Sequence, residues 1–186
     1  IATQLSVSWL TPQMDGVFID SPGTRRRFLD RLVIAFDAAH IGRTNRYEKL
    51  MRERTLLISE GRGDAGWFNA LEASLAETAI AITAARRALI HDLNEEARHG
   101  WHGFPGVRLE LQGDIENWLD EMPALAVEDR HMAAAAKLRA NGTSALPGPH
   151  VSEVNAYDVA GDTPAYLAST GQQKALLIAV VLAHAR

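Results

Sequence analysis

Residues 169–186 constrain the fold most. Ser169-Thr170-Gly171-Gln172-Gln173-Lys174 is a short polar opening, and Ala175-Leu176-Leu177-Ile178-Ala179-Val180-Val181-Leu182-Ala183-His184-Ala185-Arg186 follows it, almost wholly apolar. A helix that is apolar on every side belongs inside a core. Ser169 or Thr170 offers an N-cap hydroxyl to the unpaired N–H groups of the first turn. Gly171 lets another group approach the backbone closely. A buried helix whose N-terminus reaches the surface is a fixed anion site, because its unpaired N–H groups and the positive end of its dipole point the same way. The run is too short and too interrupted to span a membrane.

The remaining composition excludes several function classes. The chain has 186 residues, enough for one domain with a real core or a compact lobe plus an extension. Its 23 acidic and 19 basic residues leave a net charge of −4, so a basic nucleic-acid footprint could exist only as a local patch. With no cysteine, disulfides and thiolate metal sites are excluded, in keeping with a reducing compartment. No signal-peptide pattern is visible.

Along the chain, Leu5, Val7 and Trp9 alternate with polar residues and predict a strand that Thr11-Pro12 ends. Ser21-Pro22 predicts a helix start, with Phe28, Leu29, Leu32, Val33 and Phe36 on one face. Arg25, Arg26 and Arg27 in its first turns are candidate contacts to DNA phosphates. Cations there oppose the helix dipole, so a bound anion or an acidic partner is expected beside them. A helix over 43–59 carries an apolar stripe of Tyr47, Leu50, Met51, Leu57 and Ile58. Gly61-Arg62-Gly63-Asp64 reads as a helix–helix turn, with Asp64 capping the next helix. From Ala65 to about Arg98, Phe68, Leu71, Leu75, Ile82 and Leu89 keep near-heptad spacing, so the two helices form an antiparallel hairpin. His99 and His102 have no third ligand nearby, and no metal site is expected. Val107, Leu109 and Leu111 predict a strand, 128–141 a further helix, and 151–159 with 164–167 two strands that deliver the chain to Ser169.

Three groups of residues carry a family resemblance. Ser169-Thr170-Gly171-Gln172-Gln173-Lys174 resembles the signature motif of ABC-type ATPases in the form used by the RecF family. Trp9-Leu10-Thr11-Pro12-Gln13 followed by Arg25-Arg26-Arg27-Phe28-Leu29-Asp30 is similar to that family's strand, turn and Arg-rich helix. Gly148-Pro149-His150 resembles its Gly-Pro-His-Arg-Asp element, with Val151-Ser152-Glu153 standing in place of the Arg-Asp portion.

The resemblance implies an α+β, mostly helical chain: part of an ATPase head over 1–25, an inserted helical arm over 26–142, and a returning part of the head over 143–186. It implies ATP and Mg²⁺ as cofactors of the full-length protein, with Ser169, Thr170, Gly171 and Gln172 facing the γ-phosphate held by a second subunit. Gln13 would occupy the position of a loop residue that senses a γ-phosphate and its metal. The implied role is recombinational repair of gapped DNA in the bacterial cytoplasm, with RecO and RecR helping to load RecA, and an ATP-dependent homodimer away from any membrane. Two other readings remain: another SMC-like or nuclease-fused ABC-head ATPase, and a non-catalytic helical interaction module.

Two motifs of such ATPases are missing. No Gly-x4-Gly-Lys-Ser/Thr loop occurs, and no apolar strand ending in Asp-Glu follows the last helix. The resemblance implies the first upstream of Ile1 and the second downstream of Arg186. The expectation is therefore the middle of a longer polypeptide, with no catalytic residue in this stretch and no ATP turnover by it alone.

Overall fold

The computed structural model describes residues 14–61 and 63–186. The strand expected at Leu5, Val7 and Trp9, the Trp9–Gln13 turn and Arg62 lie outside the described residues. The described chain is mostly helical with a small antiparallel sheet. The capping signals become helix starts. Ser21 caps α1 (Pro22–Phe36), its side chain accepting from Thr24 N–H. Asp64 Oδ1 accepts from Trp67 N–H at 2.8 Å at the start of α3 (Ala65–Ala97). Between them runs α2 (His40–Ser59).

Contact clustering divides the chain into two units. The first takes residues 1–38, 86–112 and 152–186. It holds α1, the last third of α3, and a three-stranded antiparallel sheet of β1 (Val107–Gln112), β2 (Glu153–Asp158) and β3 (Thr163–Pro164), in that order. It also holds α6 (Thr170–His184), which packs against β1. Val107, Leu109, Val154 and Ala156 turn one face of the sheet inward, and Leu29, Leu177 and Val180 are fully buried in this unit. No residue from Ala175 to His184 is exposed, as the all-round apolar run required.

The second unit takes residues 39–85 and 113–151. It holds α2, the first two-thirds of α3, α4 (Asp114–Glu121) and α5 (Ala124–Ala140). Contacts of Arg54 with Glu72, Glu53 with Trp67 and Arg46 with Glu77 set α2 and α3 antiparallel. Their stripes share one core with Ile115, Val127, Ala135 and Leu146.

Two stretches differ from the sequence reading. The strand expected over 164–167 stops at Pro164, and Ala165–Leu167 form a 3-10 turn closed by Ala168 N–H on the Ala165 carbonyl. Proline has no N–H to continue a ladder, and the turn buries Ala165 while leaving Tyr166 and Leu167 outside. The helix expected from Glu128 begins at Ala124, because Pro123 is its N-cap residue. Helix α4 was not anticipated; its N-cap residue is Gly113, so no capping side chain marks its start.

A candidate nucleotide-binding corner at the start of the last helix

Ser169 caps α6 by a reciprocal pair of bonds. Its Oγ accepts from Gln172 N–H at 3.4 Å, and Gln172 Oε1 accepts from Ser169 N–H at 2.9 Å. This box fixes where the chain enters the helix. Gln173 N–H bonds the Ser169 carbonyl, and Gln173 Nε2 bonds the Ala168 carbonyl beneath. The N–H groups of Thr170 and Gly171 have no acceptor among the described residues. Ser169, Thr170, Gly171 and Gln172 are all exposed. An added Cβ on Gly171 would meet nothing within 4 Å, so nothing in the described chain requires glycine there. Two outward N–H donors at the positive end of a long buried helix, with a bare glycine between them and solvent, fit a phosphate group. Gln13 lies outside the described residues.

The three arginines have separate surroundings. Arg25 bonds the Asp20 carbonyl at 2.6 Å and Glu153 Oε2 at 2.7 Å. Arg26 donates to the Ser152 carbonyl at 2.8 Å. Burial, then the charge of nearby Arg86, lowers the Arg26 pKa from its ordinary value. Arg27 is exposed and, among the described residues, bonds only Thr24 Oγ1 on its own helix. The acidic partner that the helix dipole asks for is therefore within the chain: it is Glu153, from the stretch where the resemblance led one to expect Arg-Asp.

The Gly148-Pro149-His150 element lies in the second unit, where Tyr47 Oη is 2.8 Å from His150 Nδ1 and His131 Nε2 is 3.0 Å from the Pro147 carbonyl. Its neighbours are core groups of that unit. Residues the sequence reading missed share one pattern. Arg54 is fully buried and donates to Glu72 Oε1 and to the Ala135 and Ser144 carbonyls. Arg139 also bonds Glu72 and lies over the Phe68 ring. His184, also buried, bonds the Leu32 carbonyl and packs on Phe36. Arg54 and His184 each occupy a buried position among apolar residues of their helices. Arg54 falls between Tyr47, Leu50, Met51 and Leu57, Ile58, which was the available signal. Among the described residues no group of three or more His, Cys, Asp or Glu could hold a metal, and no helix is long and apolar enough to cross a membrane.

The fold, mostly helical with a small antiparallel sheet, is the arrangement expected of a fragment of an ABC-type ATPase head. Two solved structures share it, described as the recombination mediator protein RecF with ATPrS and with ATP in the RecFOR pathway. They match with TM-scores of 0.74 and 0.72, at 15% and 16% identity, each over 94% of this chain and 49% of the other. In sequence the chain is similar to proteins named DNA replication and repair protein RecF. It is 43% identical to that of Mesorhizobium japonicum over 98% of this chain, and 40% identical to that of Rhizobium meliloti over its whole length. The Agrobacterium fabrum protein is 39% identical over the whole chain. Over the part that it covers, the sequence is similar to these RecF proteins along its whole length. It spans about half the length of these curated relatives, 49–51%. No protein-family model matches it.

Proposed function

We propose that this chain is the central part of an ATP-dependent, DNA-binding protein of recombinational gap repair. Similarity to RecF proteins along the whole chain carries this reading. The exposed N–H groups of Thr170 and Gly171 support it independently. On this reading, residues 1–25 and 143–186 belong to an ATPase head and 26–142 to a helical arm. ATP and Mg²⁺ bind in the full-length protein, where the γ-phosphate supplies the negative charge on which two protomers close. Ser169 and Gln172 hold the corner open, the Thr170 and Gly171 N–H groups donate to that charge, and Gln13 senses it from the preceding loop. Arg27 is the exposed one of the three arginines and the one best suited to a DNA phosphate.

The full-length protein would be a weak, DNA-stimulated ATPase and a nucleotide-dependent homodimer in the bacterial cytoplasm. It would act in the SOS-linked repair response with RecO and RecR to load RecA. The chain by itself would hydrolyse no ATP, because the residues that wrap the β-phosphate and hold Mg²⁺ lie outside it. The test is Ser169→Arg in the full-length protein, measured by ATP-driven dimerisation and DNA-stimulated hydrolysis. Both are expected to fall tenfold or more, since the arginine fills the approach to Thr170 and Gly171. Values equal to the unsubstituted protein would end this reading of the corner.

A further inference from the structure

Ser21, Thr24, Arg27 and Arg31 fall on one line along α1 and the residue before it, at successive steps of three, three and four. At 1.5 Å of rise per residue, the line runs for about 15 Å. Phe28, Leu29, Leu32 and Val33 bury the opposite face in the first unit, so the line cannot turn inward. Each of its four side chains can donate a hydrogen bond, and none is an acid.

The line carries positive charge that the described chain does not neutralise. Arg31 is exposed and has no hydrogen bond or ion pair among the described residues. Arg27 Nη2 lies 3.2 Å from Thr24 Oγ1, which is itself 3.1 Å from Ser21 Oγ. The two hydroxyls therefore hold the Arg27 guanidinium along the helix. The acids that α1 does meet are engaged by other arginines. Arg86 takes both carboxylate oxygens of Asp30 at 2.8 Å, and Arg25 takes Glu153 at 2.7 Å. Like charges four residues apart on a helix repel, and an anion between Arg27 and Arg31 removes that repulsion.

The chemistry of the line selects its ligand. Guanidinium and hydroxyl donors in a row match the phosphate oxygens of a nucleic-acid backbone. No large apolar side chain is exposed between Ser21 and Arg31, so the line lacks the apolar centre of a protein–protein contact and any ring on which a base could stack. We propose that Arg27 and Arg31 bind neighbouring phosphates of one DNA strand, that Thr24 positions Arg27, and that Arg25 and Arg26 serve only to hold α1 to residues 152–153. This rests on the DNA-binding reading of the full-length protein. The contact is to the backbone and reads no base sequence.

The test measures binding of a fluorescently labelled gapped duplex by the full-length protein with ATP, from about 0.05 M to about 0.2 M salt. Arg27→Gln and Arg31→Gln should each weaken binding about threefold to tenfold at the lower salt. Each should also lower the slope of log affinity against log salt by about 0.9, and the double variant by about 1.8. Arg27→Lys keeps the charge and should keep the slope. Arg46→Gln removes an exposed arginine of the second unit, beside Glu77, and should leave the slope unchanged. Thermal midpoints and ATP-driven dimerisation should match the parent throughout. Glutamine variants with the parent's slope would overturn the proposal. So would an equal loss from Arg46→Gln, which would make the effect one of net charge. Weakened dimerisation with the slope intact would give the line to a protein partner and overturn it too. If the unsubstituted protein binds no duplex, the DNA-binding reading fails and takes this proposal with it; if it binds and the variants match it, only this surface fails.

Discussion

Tyr47 Oη lies 2.8 Å from His150 Nδ1, and the same hydroxyl fills the space above the Gly148 Cα. That close approach is why this position is glycine. Gly148→Ala is expected to destabilise the protein by about 1–3 kcal/mol through overpacking. Tyr47→Phe removes the obstructing oxygen for about 1 kcal/mol of lost hydrogen bond. The double variant should therefore be more stable than the sum of the two singles predicts. Urea denaturation of all four proteins measures the coupling, and strict additivity would clear the hydroxyl.

Arg54 and Glu72 form a buried pair at 3.0 Å, with side chains 0% and 3% exposed. Arg54→Met removes the donor to Glu72 and to two backbone carbonyls, and is expected to cost about 3–5 kcal/mol. Arg139, 24% exposed and able to hydrate, should cost less when changed to Met. Denaturant midpoints of the two variants give the order directly, and a larger loss for Arg139→Met would contradict it.

His131 is fully buried, and its Nδ1 has no hydrogen-bond partner among the described residues. Burial lowers its pKa; the Pro147 carbonyl and Glu72 oppose that shift, while the charges of Arg54 and His150 add to it. The folded state therefore resists protonation that the unfolded chain accepts. Stability attributable to this residue is complete above the unfolded value of about 6.5 and falls as pH drops below it toward the lowered folded value. Thermal midpoints should decline from pH 7 to pH 5, and the decline should be shallower in His131→Gln. Equal slopes would place the dependence on other groups.

Ser169 and Gly171 separate stability from function. Ser169→Ala loses the cap and should cost about 1 kcal/mol. Gly171→Ala meets open space and should leave stability unchanged or raise it by up to about 1 kcal/mol. Yet Gly171→Ala should weaken ATP-driven dimerisation of the full-length protein at least fivefold, because the methyl group blocks close approach to the backbone. A stable variant with unaltered dimerisation would remove the functional reason for the glycine.

Asn94 satisfies the outer side of β1, accepting from Leu109 N–H at 2.7 Å and donating to the Leu109 carbonyl at 2.9 Å. Asn94→Ala should cost about 1–3 kcal/mol by leaving both groups unpaired. It should also raise light scattering at high protein concentration, since an open strand edge templates pairing with other chains. Unchanged scattering with a lowered midpoint would confine the role of Asn94 to stability.

Much of the fold was readable from neighbours in sequence. The all-round apolar run gave the buried α6, and Ser21, Asp64 and Ser169 gave three helix starts. The spacing of Phe68, Leu71, Leu75, Ile82 and Leu89 gave α3, and the alternation of Val107, Leu109 and Leu111 gave β1. The resemblance that pointed to the RecF family also rested on short local motifs. What failed was of two kinds. Eight-residue α4 starts after Gly113, with no capping side chain to announce it. Arg54, Glu72, His131 and His184 were passed over because a polar residue on an apolar stripe reads as an interruption until its partner is known.

The chain determined its caps, helices and buried stripes by itself, because these depend on groups within four or so residues of one another. The partners of its charges were decided only on folding. Arg25 meets Glu153 across 128 residues and Lys174 meets Asp15 across 159, and no local rule says which elements will be neighbours. The outward aim of the Thr170 and Gly171 N–H groups is likewise a tertiary fact. It follows from which end of α6 the core leaves uncovered.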